Sequence, residues 1–189
     1  MLKEVALCLC TFVGLCEEPQ SFSDVTKCEG DLKVCEKVIS EVETVIPNHI
    51  EAYIVKTVDE IVIVTTDFSK YMDGNPIDEA ITEPQYNGVT GYGYSDKTLI
   101  YSIADSYVLL HELGHAFDFS YLYFGLNKPS NTDKWKEVYE TEYITKRGSV
   151  NQAEYFAEAF AMYYHNPHTV EMFAPNTYEQ LNNLLGKEW

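Results

Sequence analysis

The sequence predicts an α+β domain: a small mixed sheet, a helix carrying the motif HExxH, and a helical C-terminal half. Three observations point there. The short β-branched runs Ile61–Thr65 and Thr98–Ile103 both precede residue 104. From about Ser106 to Leu185, apolar residues recur at steps of three and four, the signature of helices. The chain has 189 residues, 46% of them hydrophobic, enough for one domain with a real core and too few for two ordinary ones. Strands gathered ahead of helices are the α+β pattern.

The N-terminal run Val5–Cys16 is apolar, follows Lys3 and precedes Glu17-Glu18-Pro19. Its length and position fit a secretory signal over residues 1–16, with Gly14 and Cys16 as the small residues before a cleavage point. A secreted protein is therefore expected. Glu4 cancels Lys3, and a buried first strand in a cytoplasmic protein is the alternative. All 5 cysteines lie in the first 35 residues, and cleavage after Cys16 would leave Cys28 and Cys35. Seven residues apart on one helix, their Cα atoms would be about 10 Å apart, too far to bridge. A bridge needs Cys28 to lie before the helix begins, which Gly30-Asp31 allows. The alternative is a set of reduced thiols.

Asp31–Val45 places Leu32, Cys35, Val38, Ile39, Val42 and Val45 on one helical face, with Asp31 as N-cap and Pro47 as the stop. Ala52–Val55 and Ile61–Thr65 read as strands. Asp73–Gly93 is rich in Gly, Pro, Asn and Asp and reads as a long loop. Its end, Gly88–Tyr94, reads as an edge strand beside a cleft. Thr98–Ile103 is a further strand. Helices follow at about Ser106–Phe124, Thr132–Tyr143, Asn151–His165 and Thr177–Leu185. A single domain over residues 28–189 is expected.

Charge narrows the partners. There are 13 basic and 30 acidic residues, a formal net charge of −17. Such a surface repels phosphate backbones and anionic lipid, so neither nucleic acid nor membrane is expected as a partner. Cationic or uncharged peptides are compatible with it, and a monomer is the expected state.

The chemistry lies in His111-Glu112-Leu113-Gly114-His115. Residues four apart share a helix face, so both imidazoles can reach one ion. Glu112, about 100° round the helix, can touch a water on that ion. Two histidine ligands with a carboxylate base is the metallopeptidase arrangement. A helix with two surface or core histidines is the plainer reading. The apolar neighbours Leu109, Leu110, Ala116 and Phe117 weigh against it, because they would bury polar groups that need partners. Further on, Glu154 and Glu158 repeat the four-residue spacing within Asn151–Ala161, a segment rich in Ala, Phe and Tyr. Two buried carboxylates are costly unless an ion or imidazoles compensate them. The expected ligands are His111, His115 and Glu154, with water in the fourth position. Glu158 is the expected outer acceptor for a ligand histidine, and the two glutamates could exchange roles. Asp118 is a further outer candidate. His165 and His168 read as surface or capping residues.

Three stretches resemble the family of the anthrax lethal factor catalytic domain and the secreted Pro-Pro endopeptidases: Asp105–Asp118, Ala153–Phe160 and Ala174–Leu181. They come in the family's order. The resemblance implies a zincin-like fold of the gluzincin type and a zinc-dependent endopeptidase, with ligands at His111, His115 and Glu154, a base at Glu112 and Glu158 outside the ligand sphere. Family members carry a tyrosine seven residues before the third ligand, which supports the oxyanion. Here that place holds Arg147, and the nearest tyrosine is Tyr143. Tyr143 is taken as the oxyanion donor, with Arg147 as its alternative. Relatives cleave basic segments or paired prolines, so proline-rich or basic peptides are the expected substrates. Two other readings remain: a cytoplasmic regulatory metallopeptidase of the phage-repressor-cleaving type, and a catalytically inactive binding domain of the same fold.

Overall fold

The computed structural model describes residues 21–67, 88–92 and 98–186. The expected signal at 1–16, with Cys8, Cys10 and Cys16, lies outside the described residues, as do Tyr94 and most of the expected loop at 73–93.

Among the described residues the chain opens with a short helix α1 (Phe22–Val25) and strand β1 (Thr26–Glu29). Helices α2 (Leu32–Val45) and α3 (Asn48–Val55) lead to β2 (Val58–Val64). Strands β3 (Gly88–Tyr92) and β4 (Thr98–Ile103) complete a four-stranded sheet in the order β1-β2-β4-β3. β1, β2 and β4 run parallel, and β3 pairs antiparallel with β4 at the edge. The expected mixed sheet and edge strand are both present. Helices α4 (Ser106–Tyr123), α5 (Asp133–Thr141), α6 (Gln152–His165), α7 (Pro167–Phe173) and α8 (Pro175–Leu185) form the C-terminal half.

The central strand β2 buries residues on both faces, as parallel strands do. Ile61 and Ile63 face the main core, while Val62 and Val64 pack with Tyr101 and Ile103 on the other side. The main core is closed by α2, α3, α4 and α6 through Val38, Val42, Ile50, Ile54, Leu113, Phe117, Phe156 and Phe160.

Several elements differ from expectation. Ala52–Val55 is the end of helix α3 and not a strand. Read alone, AYIV looks extended, but Ile50 and Ile54 stand one helical turn apart and are both fully buried. Pro47, in extended conformation, starts that helix as it stops α2. Strand β1 and helix α7 were not foreseen. β1 holds only four residues of mixed polarity and owes its existence to pairing with β2.

Cys28 on β1 and Cys35 in α2 form a disulfide, with Cα atoms 5.9 Å apart. The turn between them makes this reach possible. Gly30 has φ +119°, and a Cβ there would come within 2.0 Å of Thr65 Oγ1. Asp31 then caps α2 by accepting from the backbone of Lys33 at 2.9 Å. Among the described residues, no helix is long and apolar enough to cross a membrane.

Candidate metal centre

Helix α4 runs through the core and buries almost its whole circumference from Leu109 to Asp118. Asp105 starts it by accepting from Val108 N at 3.0 Å. Tyr107, His111 and His115 then fall on one stripe. Helix α6 begins at Asn151, whose side chain accepts from Glu154 N at 2.9 Å. Glu154 thus sits in the first turn, where the helix dipole favours a carboxylate. The two helices pack directly through Gly114, where an added Cβ would stand 3.0 Å from Ala157 Cα and 3.1 Å from Phe160 Cβ. Glycine at this position lets the backbones approach closely.

That packing carries Glu154 to both imidazoles. His111 Nε2 lies 3.3 Å from one carboxylate oxygen of Glu154, and His115 Nε2 lies 3.3 Å from the other. The imidazole planes meet at 84°, and one donor atom from each of the three residues falls within 4.8 Å of the rest. A tetrahedral zinc site with bonds of about 2.05 Å has donor–donor edges of about 3.3 Å. The spacing therefore fits a zinc ion, and the donor set of two imidazoles and a carboxylate is one that zinc takes. His111 Nε2 is buried and makes no well-aligned hydrogen bond, a further sign of a site shaped for an ion.

The remaining polar groups arrange themselves around the triad. Glu158, one turn after Glu154, places Oε1 3.0 Å from His111 Nδ1. A proton on Nδ1 would leave Nε2 as the ligand atom. Tyr107 and Thr145 both donate to Glu158 Oε2, at 3.0 and 2.8 Å, and fix that carboxylate in turn. Glu112 is fully buried beside the triad. Arg147, on the turn before α6, donates from Nε to Glu154 Oε2 at 3.1 Å, with an Nη 3.7 Å from Glu112 Oε1.

Electrostatics follow from these contacts. Burial disfavours a charged His111, but the carboxylates of Glu154, Glu158 and Glu112 outweigh it and push its pKa up to about 9. Burial would also raise Glu154, yet the imidazoles of His111 and His115 hold its carboxyl far below the usual range. Glu158 is lowered as well, against its burial, by His111, Thr145 and Tyr107. Burial, with Glu158 beside it, pushes the Tyr107 phenol up.

His111, Glu112, His115, Glu154 and Glu158 are thus brought together, with Glu154 facing the imidazole edge and Glu158 behind it. Tyr143 is placed elsewhere. It is 60% exposed and lines a separate cavity with Tyr139, Glu142, Ser149 and Tyr155. The reason lies in its neighbour. Glu142 accepts from Asn176 N, Thr177 N and Thr177 Oγ1 at 3.0, 2.9 and 2.7 Å, which ties this stretch to the start of α8. Thr177 Oγ1 also meets the Tyr155 hydroxyl at 2.9 Å, behind Glu154. Asp118 makes its hydrogen bonds away from the triad. It accepts from Ser130 N and Oγ at 2.8 and 2.6 Å and pairs with Lys128, pinning the 128–132 stretch to α4. His168 is a surface residue paired with Glu171, and His165 packs edge-on against Tyr107. Tyr107 and Thr145 were missed. Tyr107 carried a signal, four residues before His111; Thr145 carried none.

A sheet with one antiparallel edge, a core helix bearing two histidines and a second helix bearing the carboxylate together resemble the zinc metallopeptidases. The chain belongs to the family described as anthrax toxin lethal factor, N- and C-terminal domain, whose model matches residues 31–184. It is 33% identical to lethal factor of Bacillus anthracis over 92 residues, 43% of this chain and 11% of that protein. The chain thus spans only a small part of that relative's length. Its fold is similar to that of the Pro-Pro endopeptidase of Paenibacillus alvei, with TM-score 0.59 and 19% identity, covering 87% of this chain and 99% of that one.

Proposed function

We propose that this chain is a zinc-dependent endopeptidase of the gluzincin type, with His111, His115 and Glu154 as the metal ligands and Glu112 as the general base. The observation that carries this reading is the pair of 3.3 Å contacts from the Glu154 carboxylate to the two imidazoles, with Glu112 buried beside them. A zinc ion there would supply Lewis acidity and bring the pKa of a water toward neutrality. Glu112 takes the proton of the attacking water and returns it to the leaving amine, while the carbonyl carbon gains a C–O bond and loses the C–N bond. Glu158, held by Tyr107 and Thr145, keeps His111 in the required tautomer.

The substrate lies extended and pairs with the edge strand β3, which borders α4 at the end of the sheet. Proline-rich or basic peptides are the proposed substrates, in keeping with the net charge of −17. Residues 28–189 act as one metallopeptidase domain, behind a signal over 1–16 that directs secretion. The Cys28–Cys35 bridge supports an oxidising compartment. The test is zinc content and peptide-library cleavage, wild type beside Glu112→Ala. One zinc per chain in both, with cleavage only in the wild type, is expected. Cleavage retained in Glu112→Ala would overturn the role of Glu112, and absence of zinc would overturn the reading.

A further inference from the structure

Arg147 lies at the rim of the His111, His115 and Glu154 cluster, between Glu154 and Glu112. Its guanidinium is anchored through Nε on the ligand carboxylate of Glu154 at 3.1 Å and lies 3.7 Å from the base Glu112. The second distance is an ion pair and too long for a hydrogen bond. Its side chain is 29% exposed, so a ligand entering the site can reach it. Resting on the peptidase reading above, we propose that Arg147 is a catalytic residue, which gives guanidinium N–H donors to the substrate's carbonyl oxygen as negative charge develops there.

Charge accounting supports this role. A divalent ion with the carboxylates of Glu154, Glu112 and Glu158 sums to −1, and Arg147 brings the site to neutrality. Glu112 loses its charge when it takes the water's proton, so with Arg147 the site stays neutral as the carbonyl oxygen gains its negative charge. A planar group with five N–H donors can keep Glu154 with one edge and serve a second oxygen with another. The turn that carries Arg147 is built for rigidity. Thr145 Oγ1 accepts from Gly148 N at 3.0 Å and donates to Glu158 at 2.8 Å, so the turn is fastened to the same carboxylate that orients His111. Preorganised donors of this kind are the ones that favour a transition state over a ground state.

The experiment separates this role from simple support of Glu154. The zinc-loaded Glu112→Gln protein, which does not turn over, is titrated by calorimetry with two probes. One is a lysine-flanked phosphinic hexapeptide whose tetrahedral PO2 group replaces an amide, and the other is its amide counterpart. Adding Arg147→Gln should weaken the phosphinate about 100-fold and the amide less than about threefold. Arg147→Lys, which keeps the charge and loses the planar fork, should fall between them. Zinc affinity, read against a chelator, should change less than about tenfold. Equal losses for phosphinate and amide, or no loss for either, would overturn the proposal while leaving the peptidase reading intact. A parent protein that takes up no zinc would overturn both.

Discussion

Gly114→Ala is the most searching perturbation of the centre, because it adds one carbon where two helices meet. The new Cβ would stand 3.0 Å from Ala157 Cα and 3.1 Å from Phe160 Cβ. Ordinary carbon contacts are about 3.5–4.0 Å, so α4 and α6 must separate by about 0.5 Å. Backbone cannot swing aside as a flexible side chain can. Overpacking of this kind costs about 1–3 kcal/mol. Alanine's better helix propensity returns about 1 kcal/mol, so the net loss is about 0–2 kcal/mol. Zinc should suffer more than stability. The ligands come from both helices, and a metal site tolerates only about 0.2 Å of displacement, so affinity should fall about tenfold or more. The assay is urea unfolding beside chelator competition. Gly125→Ala is the control: nothing lies within 4 Å of it, but its φ of +72° is strained for alanine. That variant should lose about 1–2 kcal/mol and leave zinc affinity alone. A Gly114→Ala protein about 1 kcal/mol more stable, with unchanged zinc affinity, would refute the close-packing argument.

Other predictions follow from the contacts around that interface. Replacing Cys28 and Cys35 by serine opens a loop of about eight residues and should lower unfolding free energy by about 2.5 kcal/mol without changing zinc stoichiometry; an unmoved urea midpoint would contradict it. Glu158→Gln should cost about 10–100-fold in zinc affinity, and Tyr107→Phe a smaller part of that range, since Thr145 still holds the carboxylate. Equal zinc affinity across wild type and both variants would show that the shell behind His111 does not orient it. With its pKa pushed up to about 9, His111 is protonated at pH 7 in the metal-free protein, so zinc uptake there should release about one proton from it. Calorimetry in buffers of different ionisation enthalpy reads this directly, and a buffer-independent heat would exclude it.

Much of the centre was legible because helical periodicity is a local property. His111 and His115 share a face by spacing alone, as do Glu154 and Glu158, and apolar neighbours announced that both pairs would be partly or wholly buried. What spacing could not say was which carboxylate faces the metal edge. That depends on how α4 and α6 cross, fixed by contacts between Gly114, Ala157 and Phe160. The disulfide was legible in part, since the geometry required Cys28 to precede the helix and Gly30 allowed it. The Ala52–Val55 segment was misread because four residues do not carry a period; only Ile50, outside the run, reveals the helix. No local pattern told where Tyr143 would stand, because that is set by the long-range tie between Glu142 and α8.

That tie makes the far end of the chain a buttress for the helix that carries Glu154. Tyr155, next in sequence to Glu154, leans its hydroxyl on Thr177, and Thr177 is gripped by Glu142. A protease nick or stop codon ahead of Ala174 would leave every proposed zinc ligand in the polypeptide. It would still strip the prop from behind the carboxylate, so the tail could govern metal retention from a position that touches neither ion nor substrate.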